Sequence, residues 1–78
     1  MNINEKEKKD FILLGNHIKK LREKRNLTIK DISVKTGIRV EYLQKIEKGL
    51  AYGVLIYKHL FKIAMVLQVE MFELFDFW

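Results

Sequence analysis

The side chains of this chain offer little to a catalyst and more to a recognition surface. There is no cysteine, which removes thiolate nucleophiles, thiolate metal sites and disulfides together. His17 and His59 fall in neither H-x3-H nor H-E-x-x-H spacing, so no metal site is expected. Neither a glycine-rich phosphate loop nor a G-x-S-x-G elbow occurs, and no carboxylate pair suggests a pocket. The expectation is a protein that is no enzyme, holds no metal or cofactor, and has no evident small-molecule ligand. What does recur is a set of hydrogen-bonding side chains at helical spacing. Val40, Glu41, Gln44, Lys45 and Lys48 stand at i, i+1, i+4, i+5 and i+8, so they share one stripe of a helix. The chemistry of such a stripe is recognition, through a methyl face, an acceptor, an amide and two cations.

That stripe must be held by the elements around it. Thr28 is a good N-cap and Asp31 stands where its capping-box partner would. A helix over about 29–36 then turns Ile32 and Ser33 inward. Gly37 supplies the left-handed residue a sharp turn needs. A second helix over about 40–48 points Leu43 and Ile46 one way and the polar stripe the other, and Gly49 closes it. A helix, a short glycine turn and a helix with a basic outer face form a helix-turn-helix arrangement. Upstream, Asn4 and Glu7 read as a cap and its partner for a helix over 5–25. Phe11, Leu14, Ile18 and Leu21 form its apolar stripe, with Lys19, Lys20 and Glu23 on the polar face. Gly15 inside that helix implies close packing, and Asn26 suits a left-handed end. Downstream, Leu60, Phe61, Ile63, Ala64 and Leu67 mark a helix over 57–68. Met71, Leu74 and Phe75 mark a short one over 70–75. There are no prolines, so nothing interrupts an all-α, single-domain reading of residues 1–78.

The anchors also carry a resemblance. Ile32, Ser33, Gly37, Leu43 and Ile46, with the ending Ile46-Glu47-Lys48-Gly49, resemble the phage repressor/Cro (XRE-like) helix-turn-helix family. Leu14-Gly15, Ile18 and Leu21-Arg22 match upstream; Lys62-Ile63-Ala64, Leu67, Val69 and Leu74-Phe75 match downstream. The likeness spans about residues 11–75 and implies a compact five-helix, lambda-repressor-like fold. It implies a transcriptional regulator, a repressor or small controller protein, that binds a palindromic operator in double-stranded DNA as a homodimer. By position, Val40, Glu41, Gln44 and Lys45 are the implied base contacts: a thymine methyl for Val40, cytosine N4 for Glu41, guanine O6/N7 for Lys45. Arg39, Lys48, Tyr42, Lys35 and Thr36 are the implied phosphate contacts. Arg22 and Glu47 match a structural ion pair. The chain departs from the pattern at Ile29, where the family often has Gln, and over residues 50–56, apolar where the family has a short polar or basic loop. Ile56 falls in the slot of a Ser/Thr cap. The stretch 38–47 is also similar to the helix-turn-helix of RodZ-type cell-shape proteins, which bind a cytoskeletal protein.

Charge divides the chain. Residues 1–48 hold 13 Lys and Arg against 7 Asp and Glu, whereas residues 49–78 hold 2 against 3. Seven of the nine aromatics lie after Gly49, which suggests one electrostatic face and one apolar partner face. Phe72, Phe77 and Trp78 fall outside the core stripe and are the expected dimer interface; the alternative folds Phe77 and Trp78 back over the first helix as a lid on a small core. The polar start has no signal-peptide core and no apolar run reaches membrane-span length. A cytoplasmic protein without membrane contact is expected.

Overall fold

A computed structural model describes residues 4–52 and 55–77, with Leu55 through its backbone alone. Four α-helices and a terminal 3-10 turn follow one another: α1 (Glu5–Lys24), α2 (Ile29–Thr36), α3 (Val40–Glu47), α4 (Leu55–Leu67) and the turn Met71–Phe75. Local chemistry sets the boundaries. The Asn4 side chain accepts from the Glu7 N–H at 2.8 Å to start α1. Thr28 and Asp31 form a full capping box at the start of α2, at 2.8 and 3.0 Å. The Thr28 N–H also holds the exposed Asp31 carboxyl below its ordinary pKa. Three helices end alike. After α1, α3 and α4 the chain folds back through Asn26 (φ 56), Gly49 (φ 76) and Gln68 (φ 58). The next N–H in each case bonds a carbonyl five residues back: Leu27 to Arg22, Leu50 to Lys45, Val69 to Ala64. Each is a Schellman end, which satisfies the last carbonyls of its helix.

The core lies between α1, α3 and α4 and takes Ile32 from α2 and Leu74 from the 3-10 turn. Gly15 is buried where α1 crosses the end of α3. A Cβ there would collide with the Ile46 carbonyl oxygen and stand 2.6 Å from that of Glu47. The two backbones therefore touch directly.

Three expectations change. The fifth helix is one 3-10 turn, since five residues close too few i→i+4 bonds to hold an α-helix. The fourth helix begins at Leu55, two residues before the expected start, so Ile56 lies inside its first turn as a core residue, 3% exposed. Phe61 leaves the core stripe and is 61% exposed. The buried positions Ile56, Leu60, Ile63, Ala64 and Leu67 fill one arc of α4, and Phe61 lies about 100° round from Leu60. Tyr57, Phe61 and Met65 instead make a second, exposed row at i, i+4 and i+8.

Candidate nucleic-acid interface

The turn between α2 and α3 is built by two hydroxyls. Ser33 Oγ donates to the Ile38 carbonyl, and Thr36 Oγ1 donates to the Ile32 carbonyl at 2.7 Å while accepting from the Ile38 N–H at 3.1 Å. Gly37 between them takes φ 77 and its N–H bonds the Ser33 carbonyl at 2.8 Å. Ile38, buried at the next position, pins the turn to the core. These contacts fix the angle at which α3 leaves α2, which is what aims its outer face.

That face carries Glu41, Gln44, Lys45 and Lys48, all exposed, with Val40 half-buried at its start. Among the described residues the ion pairs are Arg22–Glu47 and Lys8–Glu5, so Glu41 and Lys45 stand unpaired and available. Arg39, the N-cap residue of α3, makes no side-chain cap bond and is exposed, as is Lys35 in the last turn of α2. The structure thus brings the four expected base-reading positions together on one helix, with Arg39 and Lys48 at its two ends.

Two expected phosphate contacts are placed otherwise. Thr36 has spent its only donor on the Ile32 carbonyl, so it has no proton left for a phosphate oxygen. The Tyr42 ring is half-buried and packs edge-on against His59 of α4, centroids 4.8 Å apart. Its first role is to lock α3 against α4. Desolvation, with Lys62 and Lys58 nearby, pushes the His59 imidazole below its ordinary pKa.

Arg22 and Glu47 meet as a two-pronged pair. Arg22 Nε donates to Glu47 Oε2 at 2.7 Å and Nη2 donates to Oε1 at 3.0 Å, while Nη1 donates to the Leu27 carbonyl at 2.9 Å. The side chains are only 12% and 10% exposed. The hydrogen bonds to Glu47 raise the guanidinium pKa further. One guanidinium thereby ties α1, the loop before α2 and the end of α3 into a single frame behind the recognition face.

At the other end of the molecule, Phe72 is 73% exposed. Phe77 departs from its expected place on an exposed patch: it is half-buried against the core, its ring centroid 6.1 Å from that of His17. His17 Nε2 in turn lies 2.8 Å from the Glu73 carbonyl oxygen, in hydrogen-bond contact across the α1–turn junction. Trp78 lies outside the described residues. The residues that sequence reasoning passed over are Tyr57 and Met65, which join Phe61 on the outer row of α4. Their spacing of four was the available signal. Ser33, expected to face inward, is half-buried, and its hydroxyl holds the turn. Among the described residues no helix is long and apolar enough to cross a membrane.

Comparison with known proteins agrees with this architecture. A family model described as helix-turn-helix matches residues 18–74. The HTH-type transcriptional regulator SlrR of Bacillus subtilis (strain 168) is 33% identical over 64 residues, which are 82% of this chain and 41% of that protein. The chain therefore spans less than half the length of that relative. The crystal structure of the restriction-modification controller protein C.AhdI from Aeromonas hydrophila superposes with a TM-score of 0.78 at 25% identity, covering 86% of this chain and 98% of that one.

Proposed function

The chain belongs to the XRE-like helix-turn-helix family of DNA-binding transcriptional regulators, and from that premise we propose that it recognises a palindromic operator as a homodimer, acting as a repressor or a small controller protein in the cytoplasm. The observation that supports the reading best is the exposed, unpaired row Glu41, Gln44, Lys45 and Lys48 on a helix whose exit angle is fixed by the Ser33–Thr36 turn. A helix of this kind enters the major groove with its first turns at base edges. Glu41 accepts from cytosine N4, Lys45 donates to guanine O6/N7, and Val40 meets a thymine methyl. Arg39 and Lys48 take phosphates on either side, with Lys35 next to them.

Selection of bound sites from random duplex DNA tests the whole reading, because a symmetric consensus reports a dimer and its sequence reports the base contacts. Lys45→Ala is expected to relax one base-pair position at a cost of about 1–3 kcal/mol there. Lys48→Ala is expected to weaken all duplexes alike and lower the slope of log K against log salt by about 0.9. Equal losses on specific and random duplexes for Lys45→Ala would strike it from the base-reading set. Affinity for DNA that does not change with salt would instead favour a protein-binding role of the RodZ type.

The dimer reading follows from the operator geometry, since one motif reads one half-site and half-sites stand about 10–10.5 base pairs apart. The C-terminal half offers the surface: Phe72 on the 3-10 turn, together with Phe61 and Met65 on α4, all exposed. Burying such side chains contributes about 1.5–3 kcal/mol each, enough to hold a micromolar dimer after the cost of association. Sedimentation at micromolar concentration is expected to show a dimer for the wild type and a folded monomer for Phe72→Glu combined with Phe61→Glu. A monomeric wild type, or a folded variant that still dimerises, removes this interface.

A further inference from the structure

We propose that the groove between the N-terminal half of α1, the start of α4 and the C-terminal residues is a binding site for a compact organic cation, an ammonium group carried on an apolar body. The site lies beyond the DNA-binding reading and stands on the fold alone. The groove holds about 370 Å³, within the range of small-molecule sites, about 300–1,000 Å³. Glu7, Asp10 and Phe11 of α1 form one wall, Tyr57 of α4 another, and Phe75 and Phe77 the rest. Its floor is made of buried core side chains of α1 and α4, so the bottom is hydrocarbon and suits an apolar body.

Two features set the charge of the ligand. The first is a pair of carboxylates. The chain as a whole carries a net charge of +5, yet the groove is lined by Glu7 and Asp10 and by no Lys or Arg. The two acids are three residues apart, so they are neighbours on one face of α1. Among the described residues neither enters an ion pair, and the bond that Glu7 Oε1 accepts, at 3.0 Å, comes from the neutral Asn4 amide. Their negative charge is uncompensated. The second feature is the rings of Phe11, Tyr57, Phe75 and Phe77, whose negative faces attract a cation that comes within about 6 Å of a ring centroid. Both features disfavour an anion. A bare metal ion is the wrong match, because among the described residues no group of three or more acidic or histidine side chains could hold one, and hydrocarbon cannot replace its water. Glu7 and Glu5 also complement the positive end of the α1 dipole, but that role shows in stability and not in the choice of ligand. The lining comes from three separate segments, 7–11, 57 and 75–77, so no local spacing in the sequence marks the site.

The test titrates the full chain with benzyltrimethylammonium, and separately with benzenesulfonate as an aromatic anion, following backbone amide shifts by NMR. The cation is expected to saturate one site per chain with the largest shifts around Asp10, Tyr57 and Phe75, and the anion is expected to leave these amides unmoved. Glu7→Gln combined with Asp10→Asn is expected to weaken the cation by about tenfold. Tyr57→Leu keeps an apolar side chain but removes a ring face, and is expected to weaken it by about threefold to fivefold. Glu5→Gln, the other acid of the first turn, lies outside the groove and is expected to bind as the wild type does. Tyr57 is exposed, so Tyr57→Leu keeps the test in force should the double variant lose its fold. The site is overturned if the cation does not bind, if the anion binds equally well, or if the double variant folds and binds like the wild type. An equal loss for Glu5→Gln also overturns it, since diffuse charge would then be the cause. Binding that emerges only as the protein is diluted to a monomer overturns it as well and gives the groove to a second copy of the chain.

Discussion

Arg22→Ala is expected to lower folding stability by about 3–5 kcal/mol, the usual cost of stranding one member of a buried ion pair. Both side chains are almost enclosed, at 12% and 10% exposure. Removing the guanidinium leaves the Glu47 carboxylate without its two donors and frees the Leu27 carbonyl as well. Lysine is a poor substitute, because a single ammonium cannot reproduce two parallel bonds and a third to a carbonyl on another segment. The pair itself need not be strongly stabilising. Replacing both partners by apolar residues of similar volume, Arg22→Met with Glu47→Leu, is expected to recover much of the loss. Denaturant unfolding of the two single variants and the double variant checks this as a thermodynamic cycle. Agreement of the single variants with wild type within about 1 kcal/mol would reduce the pair to a surface contact. Because the guanidinium braces the end of α3 against α1, its loss is also expected to weaken DNA binding on all sequences, without changing which bases are preferred.

The sequence made the recognition helix legible because its signals are local. Capping by Thr28 and Asp31, the left-handed Gly37, and the i, i+4, i+8 spacing of the α3 stripe each depend on a few neighbouring residues, and each is in place. The Arg22–Glu47 contact joins residues 25 apart and was readable through family resemblance, not through spacing. Where reading failed, the closure of a turn or the packing of helices decided. Thr36 looked like a free hydroxyl until the turn claimed it. Phe61 looked like core because it adjoins Leu60, yet the arc of α4 that packs on α2 and the 3-10 turn stops one position short of it. Ile56, expected just ahead of the fourth helix, lies within its first turn and is buried in the core. Phe77 looked like a loose terminal aromatic, but the Glu73–His17 contact brings the tail back over α1. Of these placements the return of Phe77 has no signature within one helical turn of sequence, whereas the Thr36 bonds span four and two residues and Phe61 stands four residues from both Tyr57 and Met65.

Gly15→Ala is expected to destabilise the protein by about 2–4 kcal/mol, against the trend for a helix interior. Helix propensity alone favours the substitution by about 1 kcal/mol, since glycine is the costlier residue in mid-helix. Packing opposes it. The added methyl would meet the carbonyl oxygens of Ile46 and Glu47 and the Glu47 carbonyl carbon at 2.8 Å, and these are backbone atoms that cannot swing aside. Relief requires α1 and α3 to separate, and that movement would stretch the Arg22–Glu47 bonds, which span the same two helices. It would also shift the recognition helix relative to the rest of the domain, so DNA affinity is expected to fall together with stability. Denaturant unfolding settles the sign. A variant more stable than wild type by about 1 kcal/mol would show that propensity wins, and that α1 and α3 do not meet backbone to backbone. A neighbouring control sharpens the comparison: Asn16→Ala, one residue along the helix at an exposed position, carries the propensity gain without the collision and is expected to be neutral or slightly stabilising. The contrast between two adjacent alanines, one costly and one harmless, is the signature of a glycine retained for close approach of two helices.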